Sequence, residues 1–126
     1  MDTNGYVPNV RDPDCPTRTV LDRIGDRWAV LVVLHLLEGR QRFTVLRDRI
    51  GGITPKALTH VLRTMERDGL VRRTVHAEVP PRVEYSLTPV GRSLKPVIAT
   101  ITGWAENNIH TIERARAEYD RRAAGR

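Results

Sequence analysis

An α+β fold that is mainly α-helical is predicted for this 126-residue chain by three observations. Residues 54–69 carry the start, stripe and stop signals of one well-bounded helix. Residues 70–87 change to a two-residue period in two short runs around a proline pair, the pattern of a β-hairpin. From Thr88 onward helical spacing returns and holds for most of the remaining chain. A short amphipathic helix and a Gly-Gly turn precede the first of these segments, so the order is helix, turn, helix, hairpin. That order defines a winged helix-turn-helix with a small β-hairpin wing, and the long C-terminal helix outside it is expected to be a dimerisation helix.

The elements before the recognition segment follow from local signals. Residues 1–14 hold Gly5, Pro8, Asn9 and Pro13 without apolar periodicity, so a flexible N-terminal tail is expected. Pro16 opens a first helix with Val20, Leu21 and Ile24 on its buried face, and Gly25 closes it. Asp26 caps a second helix, Arg27 to Glu38, whose nearly unbroken apolar run from Trp28 to Leu37 predicts burial on almost every side. The sequence RQRF, residues 40–43, can add a short third strand beside the wing. Thr44 to Ile50 reads as a short helix with Val45, Leu46 and Ile50 inward, and Gly51-Gly52 turns the chain into the next helix.

Thr54 is a good N-cap and Pro55 suits the first helical position, where its missing N–H costs nothing. Leu58, Val61, Leu62 and Met65 then make one apolar stripe, and Gly69 after Asp68 ends the helix. The opposite face offers Lys56, Thr59, His60 and Arg63, short polar and long basic groups suited to bases and phosphates in a major groove. In the hairpin, β-branched residues of 71–75 face the alternating run Val83 to Leu87, leaving His76 to Arg82 as the tip. Pro80 and Pro81 cannot donate to a ladder, so this tip is expected to project as a stiff loop carrying Arg82 toward a phosphate or minor groove.

Beyond the wing, Thr88-Pro89 repeats the cap-plus-proline signal, and Pro96 is expected to kink or restart the helix. Val90, Leu94, Val97, Ile101 and Trp104 step by 4, 3, 4 and 3, a seam suited to packing against a second helix. A long helix of this kind most economically buries its seam against its twin in a two-fold dimer.

Charge placement agrees with a nucleic-acid partner. The formal charge is +6, and it concentrates in residues 40–82, which hold ten basic and four acidic residues. One Phe, two Trp and three Tyr leave few platforms for stacking splayed bases, which favours double-stranded DNA over RNA. No long uncharged apolar run and no hydrophobic leader are present, so a cytoplasmic protein without membrane association is expected. The single cysteine excludes an intramolecular disulfide. Nineteen arginines against two lysines suggest a GC-rich bacterial genome.

The stretches CPTRTVLDRIGDRW, RFTVLRDRIGGITPKALTHVLRTMERDGLV and VPPRVEYSLTPVGRSL, with the apolar terminal helix, resemble the HxlR-type branch of the MarR-like winged-helix transcriptional regulators, small homodimers of bacteria. The resemblance runs from Cys15 to Trp104. It implies an HxlR-type winged helix-turn-helix DNA-binding domain over residues 15–104, an overlapping C-terminal helical dimerisation region over 88–122 and a frayed end at 123–126. It further implies a homodimer, commonly a repressor and in some members an activator, that sets two recognition helices in successive major grooves of a near-palindromic operator. Carried over by position, the DNA-binding residues are Thr54, Pro55, Lys56, Thr59, His60 and Arg63, with Arg82 in the wing. His60 departs from the arginine or glutamine usual at that position. In several relatives a cysteine before this same proline senses quinones, aldehydes or hypochlorite, which marks Cys15 as a candidate redox or electrophile sensor. Placed at the start of the first helix with Arg18 nearby, its thiolate would be favoured; the alternative is a weak cap that seals the helix start.

A rival trigger is a small-molecule effector held near the dimer interface, where the second and terminal helices of this fold face one another; Trp28, His35 and Trp104 are the candidate pocket residues. Four scattered histidines and one cysteine argue against a metal site, and neither a phosphate-binding Gly-rich loop nor a nucleophilic triad is present. No enzyme activity and no cofactor are expected. The alternative reading is a winged-helix protein-interaction module without sequence-specific DNA binding, which the lack of acids on the outward face of Thr54 to Arg63 disfavours.

Overall fold

The computed structural model describes residues 7–125. They form α1 (Pro16–Ile24), α2 (Arg27–Leu36), β1 (Gln41–Arg42), α3 (Phe43–Ile50), α4 (Pro55–Arg67), β2 (Val71–His76), β3 (Arg82–Leu87), α5 (Pro89–Arg92) and α6 (Lys95–Ala124). The chain divides into two compact units, one ending at Ser93 and the other beginning at Leu94.

Within the first unit the core lies where α2, α3 and α4 meet the sheet. Val32 and Val33 of α2, Leu46 of α3, and Leu58, Leu62 and Met65 of α4 are its largest fully buried side chains. Helix α4 begins as expected: the Thr54 hydroxyl accepts the Ala57 N–H at 3.1 Å, and Pro55 fills the first helical position. Its stop is a two-bond turn, with Gly69 N–H donating to the Glu66 carbonyl (3.0 Å) and Leu70 N–H to Met65 (2.9 Å). Closing that turn holds residue 69 at φ 75°, where glycine alone adds no steric penalty.

The sheet has strand order β1-β3-β2 and is antiparallel throughout. Residues 40–43 thus contribute the third strand, as Gln41 and Arg42 opposite Tyr85 and Glu84. Gln41 Nε2 donates to the His35 carbonyl at 2.6 Å, which ties this strand to the end of α2.

After β3 the chain is locked onto the end of α4. Thr88 N–H donates to the Leu70 carbonyl at 3.1 Å, while its hydroxyl donates to Gly69 and accepts from the Gly91 N–H. Gly91 sits so close to the residue preceding β2 that a Cβ there would lie 2.1 Å from the Leu70 carbonyl oxygen.

Several expectations are corrected. Val20 and Leu21 of α1 are half exposed and no α1 residue is fully buried; Ile24 is half-buried, and Arg23 makes an ion pair with Asp68 at 2.9 Å. Helix α2 ends at Leu36, and only Ala29, Val32, Val33 and Leu36 are buried, with Leu34 facing outward. Its apolar circumference exceeds what the described elements cover. In α3 only Leu46 is buried, and Val45 is exposed because the short helix touches the core along one line. Of the expected tail, residues 1–6 lie outside the described residues, while residues 9–14 form turns: Asp12 N–H bonds to Asn9 and Cys15 N–H to Asp12, both at 3.0 Å.

In the second unit, Pro96 lies in the first turn of α6, so the helix restarts there rather than kinking. It continues unbroken through Ala124, into the stretch expected to fray. Val97, Ile101, Trp104, Ile109 and Tyr119 are exposed along it.

Candidate DNA-reading surface

Helix α4 buries one stripe completely and thereby turns the opposite residues outward. Thr54, Pro55, Lys56, His60 and Arg63 are exposed, and Thr59 is half-buried. Neither Lys56 nor Arg63 has an ion-pair partner among the described residues, so both charges are available to a ligand. The hydroxyls differ in what they offer. Thr54 accepts from Ala57 N–H and keeps its own proton for a phosphate, whereas Thr59 donates to the Pro55 carbonyl at 2.8 Å and retains only acceptor capacity. His60 borders a small recess beside Asp22 and Asp26, on the side of α4 nearest α1 and α2.

The wing departs from expectation. Arg82 pairs with His76 as the first rung of the β2–β3 ladder, so the tip is residues 77–81 and does not include the arginine. Arg82 is the first residue after the prolines with an N–H, and it joins the strand at once. Its guanidinium is half-buried, with Nε 3.2 Å from Glu78 Oε2 but outside hydrogen-bond geometry. The tip itself presents Glu78 and fully exposed Val79 ahead of the prolines. On the polar face of the wing His76 Nε2 and Glu84 Oε1 are 2.6 Å apart, with Arg40 near the same carboxylate.

Sequence reasoning missed Arg72 and Arg73 as surface cations. Both are exposed on β2 and make no ion pair among the described residues. Their signal was the charge concentration of residues 40–82, which does not say which arginines are already paired.

Cys15 occupies the N-cap position of α1 but makes no side-chain cap hydrogen bond. Its sulfur instead accepts the Asn9 N–H at 3.3 Å, and the residue is 5% exposed beneath the 9–14 turn. Arg18 bonds to the Arg11 carbonyl at 3.2 Å and so braces the same turn. Of the proposed pocket residues, Trp28 is half-buried with the Arg27 guanidinium 4.2 Å from its ring, and His35 Nδ1 is 3.7 Å from Glu38 Oε2. Trp104 is exposed on α6.

A capped, one-side-buried helix with unpaired cations outward, followed by an antiparallel wing, defines a helix-turn-helix regulator of transcription. The chain belongs to the HxlR-like helix-turn-helix family, whose profile matches residues 23–113. It is 44% identical over 110 residues to the HTH-type transcriptional regulator YdeP of Bacillus subtilis strain 168, covering 85% of this chain and 86% of that one. Among solved structures it is similar to the transcriptional regulator ytfH from Salmonella typhimurium, with TM-score 0.79 and 37% identity over 88% of this chain and 99% of the other. It is also similar to the redox regulator HypR in its reduced form, with TM-score 0.72 and 40% identity over 79% of this chain and 98% of that one. Among the described residues no helix is long and apolar enough to cross a membrane.

Proposed function

We propose that this protein is a homodimeric repressor that binds a near-palindromic operator in double-stranded DNA through Thr54, Pro55, Lys56, Thr59, His60 and Arg63, with a lesser contribution from Arg82. The observation that carries the reading is the outward face of α4, where Lys56 and Arg63 stand exposed without ion-pair partners and no acid intervenes between them. The exposed apolar row of α6 supports the dimer, since a second copy would cover Val97, Ile101 and Trp104. A dimer also sets two recognition helices about 34 Å apart, the spacing of successive major grooves.

Release from the operator is assigned to Cys15. The thiol lies under a turn that holds it by a main-chain hydrogen bond, so oxidation to a disulfide with a second thiol, or addition of an electrophile, must displace that turn. The likeness to a redox regulator supports this trigger. A small-molecule effector is the competing trigger, and the same experiment separates them.

That experiment is fluorescence anisotropy of the reduced protein on its own upstream intergenic DNA and on a scrambled duplex, before and after diamide. Preference for the native duplex of about a thousandfold is expected, with loss of binding after oxidation. Equal affinity for both duplexes at every salt concentration, across all candidate promoters, removes the sequence-specific reading and leaves the protein-interaction module. Persistence of specific binding after diamide transfers the trigger to a ligand pocket.

A further inference from the structure

The wing strand β2 has an apolar face and a polar face. Val71 and Val75 lie opposite Leu87 and Val83 on the first, while Arg72, Thr74 and His76 lie opposite Ser86, Glu84 and Arg82 on the second. Arg73 breaks the pattern, since it occupies the apolar face directly opposite Tyr85. An arginine where the alternation calls for an apolar residue needs a reason other than packing the sheet.

The reason is visible between the sheet and α4. A polar concavity of about 430 Å³ is lined by Arg73 and Tyr85 of the wing and by Thr59, Arg63 and Glu66 of α4. Neither arginine has an ion-pair partner among the described residues, although Glu66 borders the same space. Tyr85 is 9% exposed, and its hydroxyl makes no hydrogen bond among the described residues. A polar group at that depth ordinarily finds a partner, and this one is not sealed from solvent, so water or a ligand can reach it. Thr59 adds no donor, because its proton goes to Pro55.

We propose that this concavity seats a backbone phosphate of the DNA duplex, with Arg73 and the Tyr85 hydroxyl as donors and Arg63 at its rim. Planar guanidinium donors and a phenol match the spread acceptors of a phosphodiester. A duplex with α4 in its major groove must pass one strand along the side of the helix that faces the wing, and the concavity is lined by residues of that side and of the wing. The proposal rests on the assignment of α4 to DNA. Glu66 opposes the phosphate and so limits sequence-independent attraction, which gives the seat a second, opposite-signed test.

Anisotropy is measured for the wild type, R73A, Y85F, E66Q and R72A on native and scrambled duplexes across a salt series. R72A is the control: the same charge is lost one residue away, from the other face of the strand. R73A is expected to weaken binding to both duplexes by the same factor, about five- to tenfold, and to lower the slope of log affinity against log salt by about one. Y85F keeps the ring, and thus its packing near Phe43, and is expected to weaken both complexes with no change of slope. E66Q is expected to tighten both. R73A acting no more strongly than R72A, or E66Q failing to tighten binding, overturns the seat, including the case in which the concavity holds a free anion instead. A wild type that binds neither duplex overturns the underlying assignment of α4, which is a different result.

Discussion

Arg63 and Arg82 carry the same charge in different company. Arg63 is exposed and has no ion-pair partner among the described residues, whereas Arg82 is half-buried beside Glu78. To reach a phosphate, Arg82 must first leave that carboxylate, so its net gain on binding is smaller. R63A or K56A is therefore expected to cost about 1 to 3 kcal/mol of operator affinity if a base edge is contacted. R82A should cost under about 0.5 kcal/mol, the scale of an exchanged surface pair, and E78Q should strengthen binding by freeing the arginine. Equal losses for R63A and R82A in the same titration would contradict this ranking. The difference was not legible in the sequence, because the approach of Arg82 to Glu78 depends on how the tip between them folds back. By contrast, the exposure of Lys56, His60 and Arg63 was legible there, since the stripe of Leu58, Val61, Leu62 and Met65 fixes which side of α4 is left over.

At the scale of elements, the junction after the wing is held by a few closely fitted groups. Gly91 leaves no room for a side chain against the Leu70 carbonyl, and Thr88 bonds to both Gly69 and Gly91. Replacing Gly91 with Ala forces a backbone shift and is expected to destabilise the fold by about 3 kcal/mol or more, read as a lower midpoint in urea. L62A, which empties a fully buried site in α4, should cost about 2 to 5 kcal/mol in the same assay. Full stability in G91A would show that α5 can move away without penalty. The motif containing Gly91 was recognisable in the sequence, but the contact that requires glycine was not, because its partner lies twenty-one residues earlier in the chain. The helix starts at Thr54 and Thr88 were fully legible, as both depend only on residues within one turn.

For the whole molecule, the burial expectations that failed for α1 and α2 share one cause. Burial was predicted for Val20 and Leu21 and for α2 on almost every side from apolar content alone, and Val20, Leu21 and Leu34 are open in the single chain. Apolar periodicity says that a face needs cover without saying which chain supplies it. A second copy is the proposed cover, and I101D is expected to convert a dimer to a monomer in sedimentation equilibrium, with a large loss of operator affinity. A wild type that sediments as a monomer at all accessible concentrations removes the dimer. C15S should bind the operator like the reduced wild type but ignore diamide; release of that variant by diamide would acquit the thiol.

The 9–14 turn over Cys15 also has a kinetic meaning. A thiol only 5% exposed reacts during openings of the segment above it, so its rate is the opening equilibrium multiplied by the rate of the uncovered thiolate. Asn9 supports the turn by accepting the Arg11 N–H at 3.2 Å. N9A would accelerate modification without altering sulfur chemistry. As the proposed sensor's cover, the turn would act as an attenuator: it scales the rate of modification down by its open fraction, so the same extent of oxidation requires a proportionally longer or stronger exposure.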